Sequence, residues 1–213
     1  SLLTATPAGS GQGKLMRKFG VPQGVILGAA LVLAATPPVM AQEAQIKTDR
    51  GLTDDRPYTI SYPDVLQPVD DGSAESVVTL LHTSGPLQCN AFIVDGADGG
   101  WNAETALSSL DVNGIVAGWA PDFPGFRVTG QSITQFQSGP ALMFEGESDD
   151  SPFGTPLRVV HAEAVDGGRF YAVECMVELG EANDARPMID FLIANFSTRS
   201  DGTCCIDPAD PRG

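Results

Sequence analysis

Apolar and polar residues alternate in short runs along the chain from residue 57 onward, and turns rich in glycine, proline and aspartate separate these runs. A period of two predicts half-buried β-strands, because successive side chains of a strand point to opposite faces of the sheet. The predicted strands are residues 58–62, 76–82, 88–94, 126–132 with an extension to 136, 141–146, 156–165 and 169–179.

The last two runs are joined by Asp166, Gly167 and Gly168. Glycine supplies the positive φ that a tight hairpin turn needs, so this sequence predicts a β-hairpin. Two helices are also expected. Asn102 is a candidate N-cap for the first, which is expected to break near Asn113, and Asp184 is a candidate N-cap for a closing helix over residues 184–196.

Strand groups on either side of one helix, followed by a closing helix, predict an α+β fold. The expected architecture is an antiparallel β-sheet of about six to seven strands with helices packed on it, an α/β/α sandwich. The single domain is expected to cover residues 57–198. A flexible lead-in over residues 42–56 precedes it, and a polar, cysteine-containing tail over residues 199–213 follows it.

Three segments of this pattern resemble the PsbP-like superfamily. They are the opening "YTISYP" strand, "GPALMFEGE" after "FRVTGQSITQF", and the ending "DGGRFYAVECMVE" followed by "ARPMIDFLIANFS". The resemblance spans residues 57–198 and implies the α/β/α sandwich fold. It implies no activity, because that superfamily mostly acts by binding and shares no catalytic set.

The first 41 residues have the pattern of a secretory signal. Basic residues at positions 14, 17 and 18 precede an apolar run over residues 25–35, and small side chains at Val39 and Ala41 suit a signal peptidase. We expect cleavage after Ala41, with residues 1–15 as additional upstream sequence. The apolar run is shorter than the roughly 20 residues that a membrane anchor needs. The mature chain is therefore expected in the periplasm or outside the cell, with no membrane span.

The chain carries a formal charge of −15, and removal of the three basic residues of the signal makes it −18. Such a surface repels phosphate backbones, so the charge argues against nucleic acid as a partner. The acidity is explained either by solubility outside the cytoplasm or by a cationic partner or divalent metal.

Four cysteines in an exported chain are expected to form disulfides. Cys89 and Cys175 fall on the more apolar faces of their strands, which predicts a Cys89–Cys175 disulfide across the sheet. The pairing of Cys204 and Cys205 stays open: they bond to each other, or one of them joins the tail to Cys89 or Cys175.

The sequence contains no catalytic or cofactor-binding motif on which we would base an assignment. His82 and His161 are the only histidines, and neither belongs to a metal-binding or nucleophile-elbow pattern. The metal-binding candidates are carboxylates of one acidic loop, whose oxygen ligands suit calcium. They are Glu145, Glu147, Asp149 and Asp150.

The sequence therefore predicts an exported, non-enzymatic accessory domain with no cofactor. It is expected to bind a cell-envelope protein or a small ligand through its sheet face or a groove between sheet and helix. Two alternatives remain. One is a calcium-responsive accessory protein that uses the acidic loop. The other is a hydrolase with an unrecognised site, which would place a histidine beside a carboxylate in a pocket.

Overall fold

The computed structural model describes residues 44–206, apart from residues 54, 71, 73–75 and 98. The predicted signal segment and its cleavage site lie outside the described residues. The described strands and helices follow one another as β1 (Ile46–Gly51), β2 (Tyr58–Pro63), β3 (Leu66–Val69), β4 (Ser76–His82), β5 (Leu87–Asp95), α1 (Ala103–Ser108), α2 (Val112–Trp119), β6 (Arg127–Phe136), β7 (Gly139–Ser148), β8 (Leu157–Asp166), β9 (Arg169–Glu178), α3 (Ala182–Ala194) and β10 (Phe196–Ser197).

Seven of these strands form one antiparallel sheet in the order β3-β4-β5-β9-β8-β7-β6. The predicted hairpin is confirmed as β8–β9. Asp166 lies opposite Arg169, and φ is 57° at Gly167 and 75° at Gly168. Because both turn residues need positive φ, two glycines in succession set the register of the whole hairpin.

The first face of this sheet carries the main hydrophobic core. Alternate residues of β5, β8 and β9 are buried there with α3 and with the smaller sheet, whose strand order is β1-β2-β10. Ile189, Leu192 and Ile193 of α3 and Phe196 of β10 are each at most 2% exposed. Burial of a side chain of this size stabilises the fold by about 1.5–3 kcal/mol.

The second face of the large sheet is covered in part by α2. Trp119, at the end of α2, stacks on Phe126 with 5.2 Å between ring centroids and approaches Phe144 of β7 edge-on. Helices therefore lie on both faces of an antiparallel sheet, which confirms the predicted α+β sandwich.

The lead-in prediction needs a correction, because residues 46–51 form β1 and pair antiparallel with β2. Their polar side chains had suggested a flexible segment, but β1 is an edge strand of the smaller sheet and most of it faces solvent. Side-chain hydrogen bonds join it to β2: Thr48 bonds Ser61 at 3.0 Å, and the Tyr58 hydroxyl donates to Asp49 Oδ2 at 3.2 Å.

The helix predictions are partly correct. Asn102 accepts from the Thr105 backbone N–H at 2.9 Å, which confirms it as an N-cap. The predicted helix is interrupted before Asn113: α1 ends at Ser108, and Asp111 caps the second helix, α2, by accepting from the Gly114 N–H at 3.0 Å. Asp184 is not an N-cap, since α3 begins at Ala182 directly after a 3₁₀ turn over Leu179–Glu181.

The described part of the tail is docked on the domain. Thr59 Oγ1 accepts from the Gly202 N–H at 3.2 Å, and Asn195 bonds both the N–H and the carbonyl of Ile206. No helix among the described residues is long and apolar enough to span a bilayer.

Candidate binding site on the second sheet face

A row of paired residues crosses the second face of the large sheet. Phe144 of β7 lies opposite His161 of β8, His161 opposite Glu174 of β9, and Glu174 opposite Asn90 of β5. Residues two apart on a strand share a face, so Glu163 lies beside His161 on the same side of the sheet. The row therefore brings one imidazole and two carboxylates together.

The imidazole of His161 is held on both sides. Its Nδ1 lies 3.2 Å from Glu174 Oε2, and its Nε2 lies 3.1 Å from Glu163 Oε2. An ionised carboxylate only accepts hydrogen bonds, so both ring nitrogens must carry a proton for both contacts to be hydrogen bonds. The geometry thus describes an imidazolium between two carboxylates.

Electrostatics agree with this protonation state. Burial of the ring, whose side chain is 12% exposed, by itself lowers the pKa of His161. The hydrogen bonds and charges of Glu163 and Glu174 outweigh burial and raise the pKa of His161 from 6.5 to about 9. His161 is therefore charged at neutral pH.

An aromatic stack supports the ring from one side. Phe144 lies nearly parallel to His161 with 4.7 Å between centroids, and Phe170 lies 6.5 Å away. A cation over an aromatic face is attracted to the ring's π electrons, so Phe144 favours the charged imidazole. Phe144 in turn packs against Trp119 of α2, so the helix that covers this face also positions His161.

The row of paired residues ends on β5 with Asn90, which is polar. Gln88 Nε2 donates to Asn90 Oδ1 at 3.2 Å, and Asn90 is only 6% exposed. Glu163 and Glu174 remain 20% and 15% exposed in their side chains. We call this half-open surface around Glu163, His161 and Glu174 the carboxylate face.

The sequence-predicted metal candidates occupy a different place. Two of these four carboxylates, Glu147 on β7 and Asp149 just after it, are held by arginines of neighbouring strands. Arg127 contacts Glu147 and Asp149, each at 2.8 Å, and Arg158 contacts Glu147 at 2.6 Å. The Arg158 and Arg127 hydrogen bonds lower the pKa of Glu147 despite its burial.

The remaining two candidates are also engaged. Glu145 binds Arg186 of α3 at 2.7 Å, and Asp150 accepts from the Ser151 N–H at 2.8 Å. Among the described residues, no group of three or more histidine, cysteine or acidic side chains is arranged to hold a metal ion. The structure does not bring the predicted candidates together as a calcium site.

The predicted Cys89–Cys175 pairing is supported. The two residues lie directly opposite one another on β5 and β9, with 4.0 Å between their Cα atoms, and their sulfur atoms are bonded. Because Cys89 and Cys175 are bonded to each other, neither is joined to a tail cysteine, which leaves a bond between Cys204 and Cys205 as the remaining one of the two predicted alternatives.

His82 makes a local contact, because its Nδ1 accepts from the Ser84 N–H at 3.2 Å.

Glu163 and Glu174 were not among the sequence candidates. The hairpin turn could have revealed Glu174, because His161 lies five residues before Asp166 and Glu174 five residues after Arg169, so the turn predicts that they pair. Glu163 could have been found from the period of two, since it lies two residues after His161 on β8.

Comparison with solved structures decides the fold. The solution structure of cyanobacterial PsbP (CyanoP) from Synechocystis sp. PCC 6803 matches with a TM-score of 0.51 and 11% sequence identity, over 78% of this chain and 98% of CyanoP. The chain has the PsbP-like fold. This confirms the resemblance found in the sequence at the level of fold.

Two further solved structures match with lower TM-scores. The Ran-binding protein Mog1p of Saccharomyces cerevisiae has a TM-score of 0.45 at 9% identity, over 70% of this chain and 88% of its own. LpqN of Mycobacterium tuberculosis, involved in cell envelope biogenesis, has a TM-score of 0.42 at 16% identity, over 71% and 84%. No family model and no curated protein sequence matches the chain. The PsbP-like assignment therefore concerns the fold, and it rests on the structural match to CyanoP.

Proposed function

We propose that this protein is an exported accessory domain without catalytic activity, and that it binds a basic segment of a partner protein through the carboxylate face. Two features support export. Residues 14–41 have the pattern of a secretory signal, and a Cys89–Cys175 disulfide persists in an oxidising compartment outside the cytoplasm.

The surroundings of His161 support a non-catalytic role. A general base needs a free ring nitrogen beside the proton that it removes. Both nitrogens of His161 are within hydrogen-bond distance of carboxylates, and its raised pKa keeps it protonated at neutral pH. In this state the imidazole cannot activate a serine, a cysteine or a water molecule.

An excess of negative charge on the carboxylate face carries the proposal of a basic partner. Two carboxylates share one imidazolium, which leaves one negative charge on a half-buried surface. Only Oε2 of each glutamate contacts His161, so Oε1 of each is left without a hydrogen-bond partner among the described residues. A lysine or arginine side chain supplies the missing donors, and the net charge of −15 attracts a basic segment from a distance.

The experiment measures binding of an oligolysine peptide to the ¹⁵N-labelled protein by NMR at low and at physiological salt. We expect saturable shifts of the backbone amides of β8 and β9 around His161. Glu163→Gln and the double variant Glu163→Gln/Glu174→Gln should weaken binding, the double variant by about tenfold, which corresponds to about 1.4 kcal/mol.

A control variant removes the same charge from elsewhere. Asp122 and Glu181 are exposed, so Asp122→Asn/Glu181→Gln removes two negative charges, as many as Glu163→Gln/Glu174→Gln does, but leaves the carboxylate face intact. Its affinity should stay near that of the wild type. Equal loss of binding in both double variants would show that the peptide binds by overall charge alone and would reject the proposed site.

The non-catalytic part of the proposal has its own test. The purified protein should show no turnover in a broad hydrolase screen. Turnover that is lost on substitution of His161 or His82 would establish the hydrolase alternative instead.

A further inference from the structure

Two adjoining cavities lie at the end of the sheet where the β8–β9 hairpin meets the chain after β10. The larger has a volume of about 410 Å³ and the smaller of about 270 Å³. Asp166, Thr198 and Arg199 line both of them. The larger, which we call the hairpin cavity, is a shallow depression open to solvent, and its volume lies within the range of about 300–1,000 Å³ that is usual for small-molecule sites.

The wall between the two cavities is held firmly. The Thr198 N–H donates to Ser138 Oγ at 3.1 Å, and its hydroxyl donates to Asp166 Oδ2 at 2.6 Å. The backbone of Arg199 is bonded on both sides: its N–H donates to Ser197 Oγ and its carbonyl accepts from Thr59 Oγ1. The position of Arg199 at the cavity rim is therefore set by the fold, although its side chain is exposed.

Two arginines and two aspartates line the hairpin cavity, so its charged groups balance. Arg169 is engaged with Asp95 at 3.2 Å, and Asp166 is engaged with Thr198. The guanidinium of Arg199 and the carboxylate of Asp201 have no hydrogen bond or ion pair among the described residues, and they do not pair with each other. One positive and one negative group thus border the same cavity, both available to a ligand.

We propose that the hairpin cavity binds a small zwitterion of the α-amino-acid class. Its carboxylate lies at Arg199, whose planar guanidinium matches a carboxylate with two parallel hydrogen bonds. Its ammonium group lies at Asp201. The side chain of Tyr171 forms part of the cavity wall and is fixed there, because it is 1% exposed and hydrogen-bonds Arg169.

This site is separate from the carboxylate face and goes beyond the function proposed above. The test uses the same ¹⁵N-labelled protein with an equimolar mixture of free α-amino acids at millimolar concentration. We expect saturable shifts confined to the amides around the β8–β9 turn and residues 198–201. Individual amino acids then identify the preferred side chain.

Variants and partial ligands decide the chemistry. Arg199→Gln should weaken amino-acid binding at least about tenfold, and Arg199→Lys by less, because lysine keeps the charge but loses the paired hydrogen bonds. Lys47→Gln removes the same charge from an exposed lysine on β1 and should leave binding unchanged. Asp201→Asn should weaken binding of amino acids but not of acetate.

Two results would overturn the assignment. The first is that acetate or inorganic phosphate shifts the same amides with an affinity equal to that of the amino acids, which would make the cavity a simple anion site. The second is that no amino acid produces saturable shifts there. Neither result would affect binding of oligolysine at Glu163 and Glu174.

Discussion

The imidazolium of His161 should make the stability of this protein fall as the solution becomes alkaline. Its folded-state pKa is about 9, above the ordinary value of 6.5 that applies in the unfolded chain. The stabilisation is therefore complete below about pH 6.5 and is lost as the pH rises through about 9.

The magnitude follows from that difference in pKa. Each pKa unit corresponds to about 1.4 kcal/mol, so a rise from 6.5 to about 9 contributes about 3 kcal/mol of unfolding free energy. Solvent screening reduces this value little, because the His161 side chain is 12% exposed. The charged groups that face it are Glu163 on its own strand and Glu174 on β9, while β5 and β7 present the uncharged Asn90 and Phe144.

The assay is urea unfolding of the wild type and of His161→Gln at a series of pH values from about 6 to about 10. The difference in unfolding free energy between the two proteins should shrink by about 3 kcal/mol over this range, while other titrating groups cancel. An NMR titration of the His161 ring measures its pKa directly. His82→Gln is the matched control, and it should keep the alkaline loss of stability.

The prediction would be refuted by a constant difference between wild type and His161→Gln across this pH range. It would also be refuted by titration of His161 near its ordinary pKa. Either result would mean that Glu163 and Glu174 do not hold the ring as an imidazolium, and a neutral ring nitrogen of His161 would then be available as a general base.

Three further predictions concern the disulfide, a close contact and calcium. Peptide mapping without reduction should recover Cys89 joined to Cys175, and replacing both by alanine should cost about 4 kcal/mol, since the bond closes a loop with a sequence separation of 86. Gly146→Ala should destabilise the fold by about 1–3 kcal/mol, because the added Cβ would overlap the ring of Phe126. Millimolar calcium should not raise the Tm, because carboxylates of the acidic loop already form ion pairs with arginines. Asp149, for example, pairs with Arg127.

Each of these has a control or a contrary result. A peptide that joins Cys89 to a tail cysteine would contradict the disulfide. Gly130→Ala adds a Cβ on the neighbouring strand β6 that meets nothing closer than 4.0 Å, so it should be tolerated far better than Gly146→Ala. A Tm that rises by several degrees with calcium, and no longer does so in Asp149→Ala/Asp150→Ala, would restore the calcium hypothesis.

Much of the fold could be predicted from local pattern. The alternation in the runs that became β4, β5, β8 and β9 located these strands to within a residue or two, because period two is a property of the strand itself. The same alternation placed Cys89 and Cys175 on inward faces. The strand β3 and the edge strand β1 were missed, because short or solvent-facing strands carry few buried side chains to reveal them.

The candidate site was harder to predict. His161 was recognised only as a polar strand residue, and its partners Glu163 and Glu174 were not singled out. The hairpin register contains the pairing of His161 with Glu174, but nothing local shows that α2 and Phe144 enclose the ring. The acidic loop was predicted as a candidate site but is not one in the structure. Its carboxylates have no arginine partner nearby in the sequence, whereas in the fold Arg158 and the distant Arg186 contact them.

The sequence by itself determined the strands, the β8–β9 turn and the faces on which the sheet cysteines lie, because these depend on side-chain alternation and on glycine's positive φ. Tertiary structure alone decided which charges are paired and how deeply they are buried. A pKa or an ion pair depends on groups that pack from distant parts of the chain, and burial decides how strongly they interact. The charged His161, the arginine contacts of the acidic loop, and an Arg199 guanidinium without a partner among the described residues all became visible only once those parts had come together.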